Sequence, residues 1–214
     1  MIFGLLFSQP LLFVALLLAI IVALTVHEYA HALSANLLGD KTAEHMGRLT
    51  LNPMAHLDPF GFMLLLFAGF GYAKPVPYNP VALKNPRRDS VLIGLAGPGS
   101  NILMAAVFAY ALSFAAVQLG PSNLLVQFLY FAAFININLA IFNMLPVPPL
   151  DGSKIVLSLL HGPQWARARK TLVTQGPIIL LLLVIVDSFA GIGLFGRLFT
   201  YFGSVFFNLL GIPL

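Results

Sequence analysis

LTVHEYAHALSANLLGD, residues Leu24 to Asp40, sets two histidines and a glutamate inside a run that otherwise reads as a membrane-spanning helix. The run belongs to a longer apolar stretch, Leu11 to Leu38. As a helix that stretch extends about 42 Å against a bilayer core of about 30 Å, so it must tilt or protrude. A charged side chain at membrane depth costs about 2.5 kcal/mol or more, and Glu28 there requires a compensating role. His27 and His31 are four residues apart, on one helix face and a turn from each other, where both imidazoles can bind one ion. Glu28 is rotated by about 100° from His27 and still reaches a water held by that ion. The pattern H-E-x-x-H therefore has the makings of a metal site with a general base. The competing reading is two histidines hydrogen-bonding to neighbouring helices with Glu28 as partner. Three such groups in five residues would be a costly way to make packing contacts.

Composition sets the rest of the frame. The chain has 214 residues, 59% hydrophobic and 8% charged, with a mean hydropathy of +0.94, outside the range of a water-soluble domain. It contains no cysteine, so any metal must be held by His, Asp or Glu. The N-terminus MIFGLLFSQP has no basic side chain and does not read as a cleavable leader; the first helix is expected to stay. Ten of the eleven Lys and Arg residues fall in two segments, Lys41 to Arg88 and Lys154 to Lys170. By the positive-inside rule both are cytoplasmic, with the N-terminus and Arg197 outside. No basic and aromatic face accompanies the net charge of +4, so nucleic acid is excluded as a partner and the lipid bilayer is the expected one.

Along the chain, spans are expected at Leu11 to Leu38, Ser90 to Gln118, Leu124 to Leu145, Thr171 to Ala190 and Leu194 to Leu210, with a short helix from Ser153 to Leu160 leading into a basic loop. The apolar run Phe62 to Gly71 is too short to cross and reads as re-entrant or interfacial. GYAKPVPYN, Gly71 to Asn79, reads as extended chain because its prolines exclude helix. Its non-proline residues, Val76 among them, keep backbone groups that can pair with an extended substrate by strand addition. The fold expected is an all-α polytopic membrane protein, residues 1–214 forming one membrane domain.

Two histidines leave a catalytic zinc in need of a third ligand. Asp151 is the candidate: it follows the proline break of FNMLPVPPLDGSK, and Gly152 permits a tight backbone path. An ordinary Asp-Gly turn is the other reading. Two neutral histidines, one aspartate, Zn²⁺ and a hydroxide sum to zero charge, which low-dielectric surroundings tolerate.

HEYAH together with NMLPVPPLDG resembles the site-2 protease family of intramembrane zinc metalloproteases. Asn143, Pro146, Pro148, Leu150, Asp151 and Gly152 match that family's second element, AGPGSN (Ala96 to Asn101) is similar to its intervening helix motif, and GRLTLNPMAHLDPFG with AKPVP is similar to its compact subgroup without a PDZ domain. The resemblance implies a core of three transmembrane helices around one Zn²⁺ per chain, a re-entrant segment and additional C-terminal helices. It implies zinc ligands His27, His31 and Asp151, with Glu28 as general base. Asn143 would hydrogen-bond the substrate or the developing oxyanion, or else make a plain interhelical contact. The implied activity is hydrolysis of peptide bonds in transmembrane segments of protein substrates, in a bacterial or archaeal plasma membrane, with the site toward the cytoplasm. Gly94, Gly97 and Gly99 are expected to allow close helix approach, and Asn101 to orient neighbouring groups. His45 and His56 are spare histidines; either could be a fourth ligand in a resting state, but a structural role is the expectation, and Asp187 is expected to be solvated. A divalent-metal transporter would carry polar residues at successive depths; here the outer halves of the spans are apolar. A catalytically silent helix-binding relative is the third class, and Glu28 speaks against it.

Overall fold

The computed structural model describes residues 2–68 and 71–212. Among them the chain is helical apart from its connections and one isolated antiparallel bridge between Leu57 and Ala73. In order, the helices are α1 (Ile2–Ser8), α2 (Pro10–Leu37), α3 (Thr42–His45), α4 (Pro59–Ala68), α5 (Pro86–Leu119), α6 (Leu124–Asn143), α7 (Ser153–Leu159), α8 (Ala166–Ala190) and α9 (Leu194–Leu209). Among the described residues four segments are long and apolar enough to cross a membrane: Pro10–Leu37, Pro86–Leu119, Leu124–Asn143 and Pro163–Asp187. The protein is an all-α polytopic membrane protein, and α9, at 16 residues, falls short of a span of its own.

α2, α5 and α6 pack mutually and form the core. Their contacts are made by alanine: Ala19, Ala23, Ala32, Ala35, Ala105, Ala109, Ala132 and Ala133 have no exposed surface, whereas Phe114, Val117 and Leu103 are among the most exposed side chains. Lipid offers no hydrophobic drive for helices to associate, so small residues that let backbones approach are placed inside and bulky ones face outward.

Helix boundaries follow proline and glycine. α2 and α5 each begin at a proline, which lacks the N–H that a first turn leaves unpaired. α2 stops before Gly39, whose φ of +105° suits glycine alone. α5 starts four residues earlier than the sequence pattern indicates, because Asp89 accepts the Asn85 N–H at 2.9 Å and ties down the first turn. Asp89 is therefore buried inside a helix at 3% exposure. The second basic cluster is also helical: Arg167, Arg169 and Lys170 lie in the first turns of α8, where good helix formers extend the span into the expected loop.

The expected re-entrant run appears as α4, although Gly69 and Phe70 within it lie outside the described residues. The chain then returns without helix from Gly71 to Asn79. A Cβ on Gly61 would stand 2.2 Å from the Tyr72 carbonyl oxygen, and one on Gly71 2.4 Å from the Gly61 oxygen, so glycine is required on both sides of this crossing. Several bonds then fix the returning segment. Lys74 N–H donates to His56 O at 2.8 Å, the Arg48 guanidinium donates to Lys74 O and Pro75 O at 2.5 and 3.3 Å, and Asn79 N–H donates to Asp40 Oδ2 at 2.6 Å.

Candidate metal centre

α2 carries His27, Glu28 and His31 toward α5 and toward the loop between α6 and α7, and all three are buried, at 4%, 7% and 6% exposure. Asp151 reaches them because Gly152 lets the chain double back on the end of α6. Gly152 N–H donates to Asn143 O at 2.7 Å, and a Cβ there would meet Met144 O at 2.2 Å. His27 Nε2 and His31 Nε2 are 3.0 Å apart, and Asp151 Oδ2 lies 3.2 and 3.1 Å from them. His27, His31 and Asp151 thus form one group able to hold a metal ion.

The partners of the outer ring nitrogens decide what this triangle wants. His31 Nδ1 donates to the main-chain oxygen of Ile93 at 2.6 Å. His27 Nδ1 donates to Asn101 Oδ1 at 2.5 Å; the Asn101 amide cannot turn over, because its Nδ2 already donates to Ala23 O and to Asn136 Oδ1. With both Nδ1 atoms protonated, both Nε2 atoms present lone pairs. Two lone pairs and a carboxylate oxygen face one point with no donor between them, an arrangement that a cation relieves. The 3.0–3.2 Å separations are close to the ~3.3 Å edge of a tetrahedron with ~2.0 Å bonds, as zinc prefers. The donor set, one carboxylate and two imidazoles without thiolate, fits zinc as well.

The surroundings leave little slack. A Cβ on Gly97 would stand 2.4 Å from His31 Nε2 and 2.7 Å from His27 Cε1, and one on Gly94 would run into Lys154 and the Asp151 carbonyl. Gly94 and Gly97 are therefore close-approach positions as expected, whereas Gly99 has nothing within 4 Å of a built Cβ and is not. Lys154 Nζ holds the outer oxygen of Asp151 at 3.0 Å and lies over the Tyr78 ring.

Glu28 Oε2 accepts the Val76 N–H at 3.1 Å. The Val76 N–H expected to be free for a substrate strand is therefore engaged by the protein itself. Arg48, 5% exposed, supplies nearby positive charge: burial lowers its pKa and the charge of Glu28 works the other way. A main-chain donor and a cation together offset the cost of burying Glu28.

Asn143 stands at the end of α6, its Nδ2 donating to Leu139 O at 3.0 Å. His56 is fully buried and donates through Nε2 to Thr50 O at 2.7 Å, a structural contact. His45 ends α3 and is exposed. Asp187, expected to be solvated, is partly exposed and also accepts the Leu194 and Phe195 N–H groups at 2.6 and 3.2 Å, capping α9. Sequence reasoning missed Asn136, Arg48, Lys154 and the role of Val76. For Asn136 a signal existed, since a buried amide in an apolar span needs a partner.

A buried histidine–histidine–aspartate group in a bundle of membrane-length helices is the frame of a membrane-embedded metallohydrolase. The model of peptidase family M50 matches residues 15–122 and 114–184. YwhC of Bacillus subtilis, provisionally named a zinc metalloprotease, is 42% identical over 179 residues, 80% of each chain. The similarly named Rip2 proteins of Mycolicibacterium smegmatis and Mycobacterium tuberculosis are 28% and 29% identical, over 84% and 95% of this chain and 71% and 78% of theirs. No solved structure matches. The chain belongs to peptidase family M50, the site-2 proteases. It is an integral membrane zinc metalloprotease of that type.

Proposed function

We infer that the protein hydrolyses peptide bonds within or near transmembrane segments of membrane-protein substrates, as a step of regulated intramembrane proteolysis. The observation that carries this reading is the depth of the donor group: His27 and His31 are buried within a helix of membrane-spanning length. His31 lies six residues, about 9 Å, before the end of α2. The placement of Lys and Arg supports a site on the cytoplasmic side of a bacterial or archaeal plasma membrane.

In this reading His27, His31 and Asp151 hold the zinc, which when bound supplies Lewis-acid activation of water and of the peptide carbonyl. Asn101 and the Ile93 carbonyl keep both imidazoles in the ligating tautomer. Lys154 occupies the outer oxygen of Asp151 and leaves Oδ2 for the ion. Glu28 takes the proton of the attacking water and returns it to the leaving amine. The Val76 N–H fixes one oxygen of Glu28 and leaves the other to accept that proton. Asn143 serves the developing oxyanion once its amide leaves Leu139 O.

Glu28→Gln is expected to retain stoichiometric zinc and lose cleavage of a single-span substrate in proteoliposomes. His31→Ala and Asp151→Ala are expected to lose both. Full zinc and normal activity in Asp151→Ala would overturn the ligand assignment, and cleavage by Glu28→Gln at the wild-type rate would overturn the mechanism.

A further inference from the structure

α2 presents Leu16, Ile20 and Leu24 to a cavity of about 520 Å³, bounded on its other sides by α4, α6, α8 and α9. Its wall is mostly apolar. Besides the Tyr72 phenol, two polar side chains interrupt it, and they differ. Asp187 is committed to capping α9, whereas Asn138, on α6, has a buried Oδ1 with no hydrogen-bond partner among the described residues. A buried, unpaired amide oxygen is unusual enough in a native fold to call for an explanation.

Two stretches of chain lead from this cavity to Glu28. Along α2, Leu24 is one turn before Glu28. Along the returning segment, Tyr72 lines the cavity and Val76 donates to Glu28; four residues of extended chain cover about 13 Å. A peptide lying with its scissile carbonyl beside Glu28 would therefore have a residue about four positions away at the cavity. Such a peptide is cleavable only where its helix has opened, and at membrane depth every N–H and C=O released by opening needs a new partner. Asn138 offers a donor and an acceptor on one amide.

Resting on the proteolytic reading above, we propose that this cavity is the subsite for an apolar side chain of the substrate helix about four residues from the cleaved bond, and that Asn138 pairs with the main-chain group set free there. The apolar wall selects the side chain and the amide favours an opened helix over an intact one.

The absence of cysteine from the chain makes disulfide mapping direct. The full-length Glu28→Gln protein is reconstituted with Phe199→Cys, which lines the cavity, or with Phe114→Cys, an exposed position elsewhere. The probe is a single-span Leu/Ala peptide broken centrally by Gly-Pro, carrying one cysteine moved along its length. Phe199→Cys is expected to form adducts only with peptide cysteines about three to five residues from the break, Phe114→Cys none, and Asn138→Leu is expected to lower the yield at least fivefold with zinc content unchanged. Adducts spread evenly along the peptide, no adduct at Phe199→Cys, or an undiminished yield in Asn138→Leu would overturn the proposal; a lipid chain in the cavity would give the second result. Cleavage of the same peptide by the protein with Glu28 intact is read separately. Adducts without cleavage would keep the subsite and refute the proteolytic reading; cleavage without adducts would do the reverse.

Discussion

His27 shows how far a single side chain depends on residues that never touch the metal. Its tautomer is set by Asn101, and Asn101 is set by Asn136, whose own Nδ2 is held by Ala132 O at 2.8 Å. Asn136→Leu would leave a buried Asn101 donor unpaired, at a cost of about 1–3 kcal/mol, and leave Ala23 O as the one acceptor holding the amide. Zinc affinity is expected to fall about tenfold or more, the scale typical of ligand-orienting partners, as measured by competition with a chromophoric chelator; Asn101→Leu is expected to fall further. HEYAH and the Asp-Gly element were legible in the sequence because their chemistry is local in spacing. The Asn136 partnership was not, since it bridges 35 positions between two helices. A polar residue in an apolar run announces that it faces inward without saying whom it meets.

Among the elements, the returning segment Gly71 to Asn79 carries the main revision. Its prolines were legible as a bar to helix, but its hydrogen bonds join positions tens of residues apart, and those were not. Because Val76 N–H is bonded to Glu28, Val76→Pro is expected to slow cleavage through kcat, with KM little changed and zinc retained; a pure docking defect would raise KM instead. At the far end of the segment Asp40 holds Asn79 and Thr42. Burial pushes the Asp40 carboxyl up, and the bonds from Thr42 and Asn79 more than offset this, so its pKa is lowered. A depressed folded pKa gives stability that is present above the unfolded value, about 3.9, and lost as pH falls through the folded one. Acidification is therefore expected to release Asn79, and Asp40→Asn at neutral pH to imitate it, read as lost protection of the Tyr78 and Asn79 amides relative to their intrinsic exchange rates at the same pH.

For the molecule as a whole, the helical class and the separate spans were legible because a membrane demands long apolar runs, and the boundaries of the core spans came within a few residues; that three of them surround one site was implied by the resemblance alone. The start of α8 was not, because basic residues read as loop also favour helix once a preceding turn nucleates it. The proposed orientation rests on charge rather than packing. Lys84 and Arg167 are both exposed, and single cysteines at either are expected to react with an impermeant thiol reagent only from the cytoplasmic side. Reaction from outside at either position would reverse the orientation.

Gly97 brings bare helix backbone against both imidazoles, so an ion held between the rings is walled off from α5. In the proposed reading the peptide reaches the site from the side of Glu28 and the returning segment, and the ion would have to use that side as well. Departure of the metal and residence of the peptide become competing traffic through one opening. In Glu28→Gln protein, stripping of zinc by a chelator is expected to slow when a single-span peptide is bound, and the ratio of the two rates measures how completely the doorway is shared.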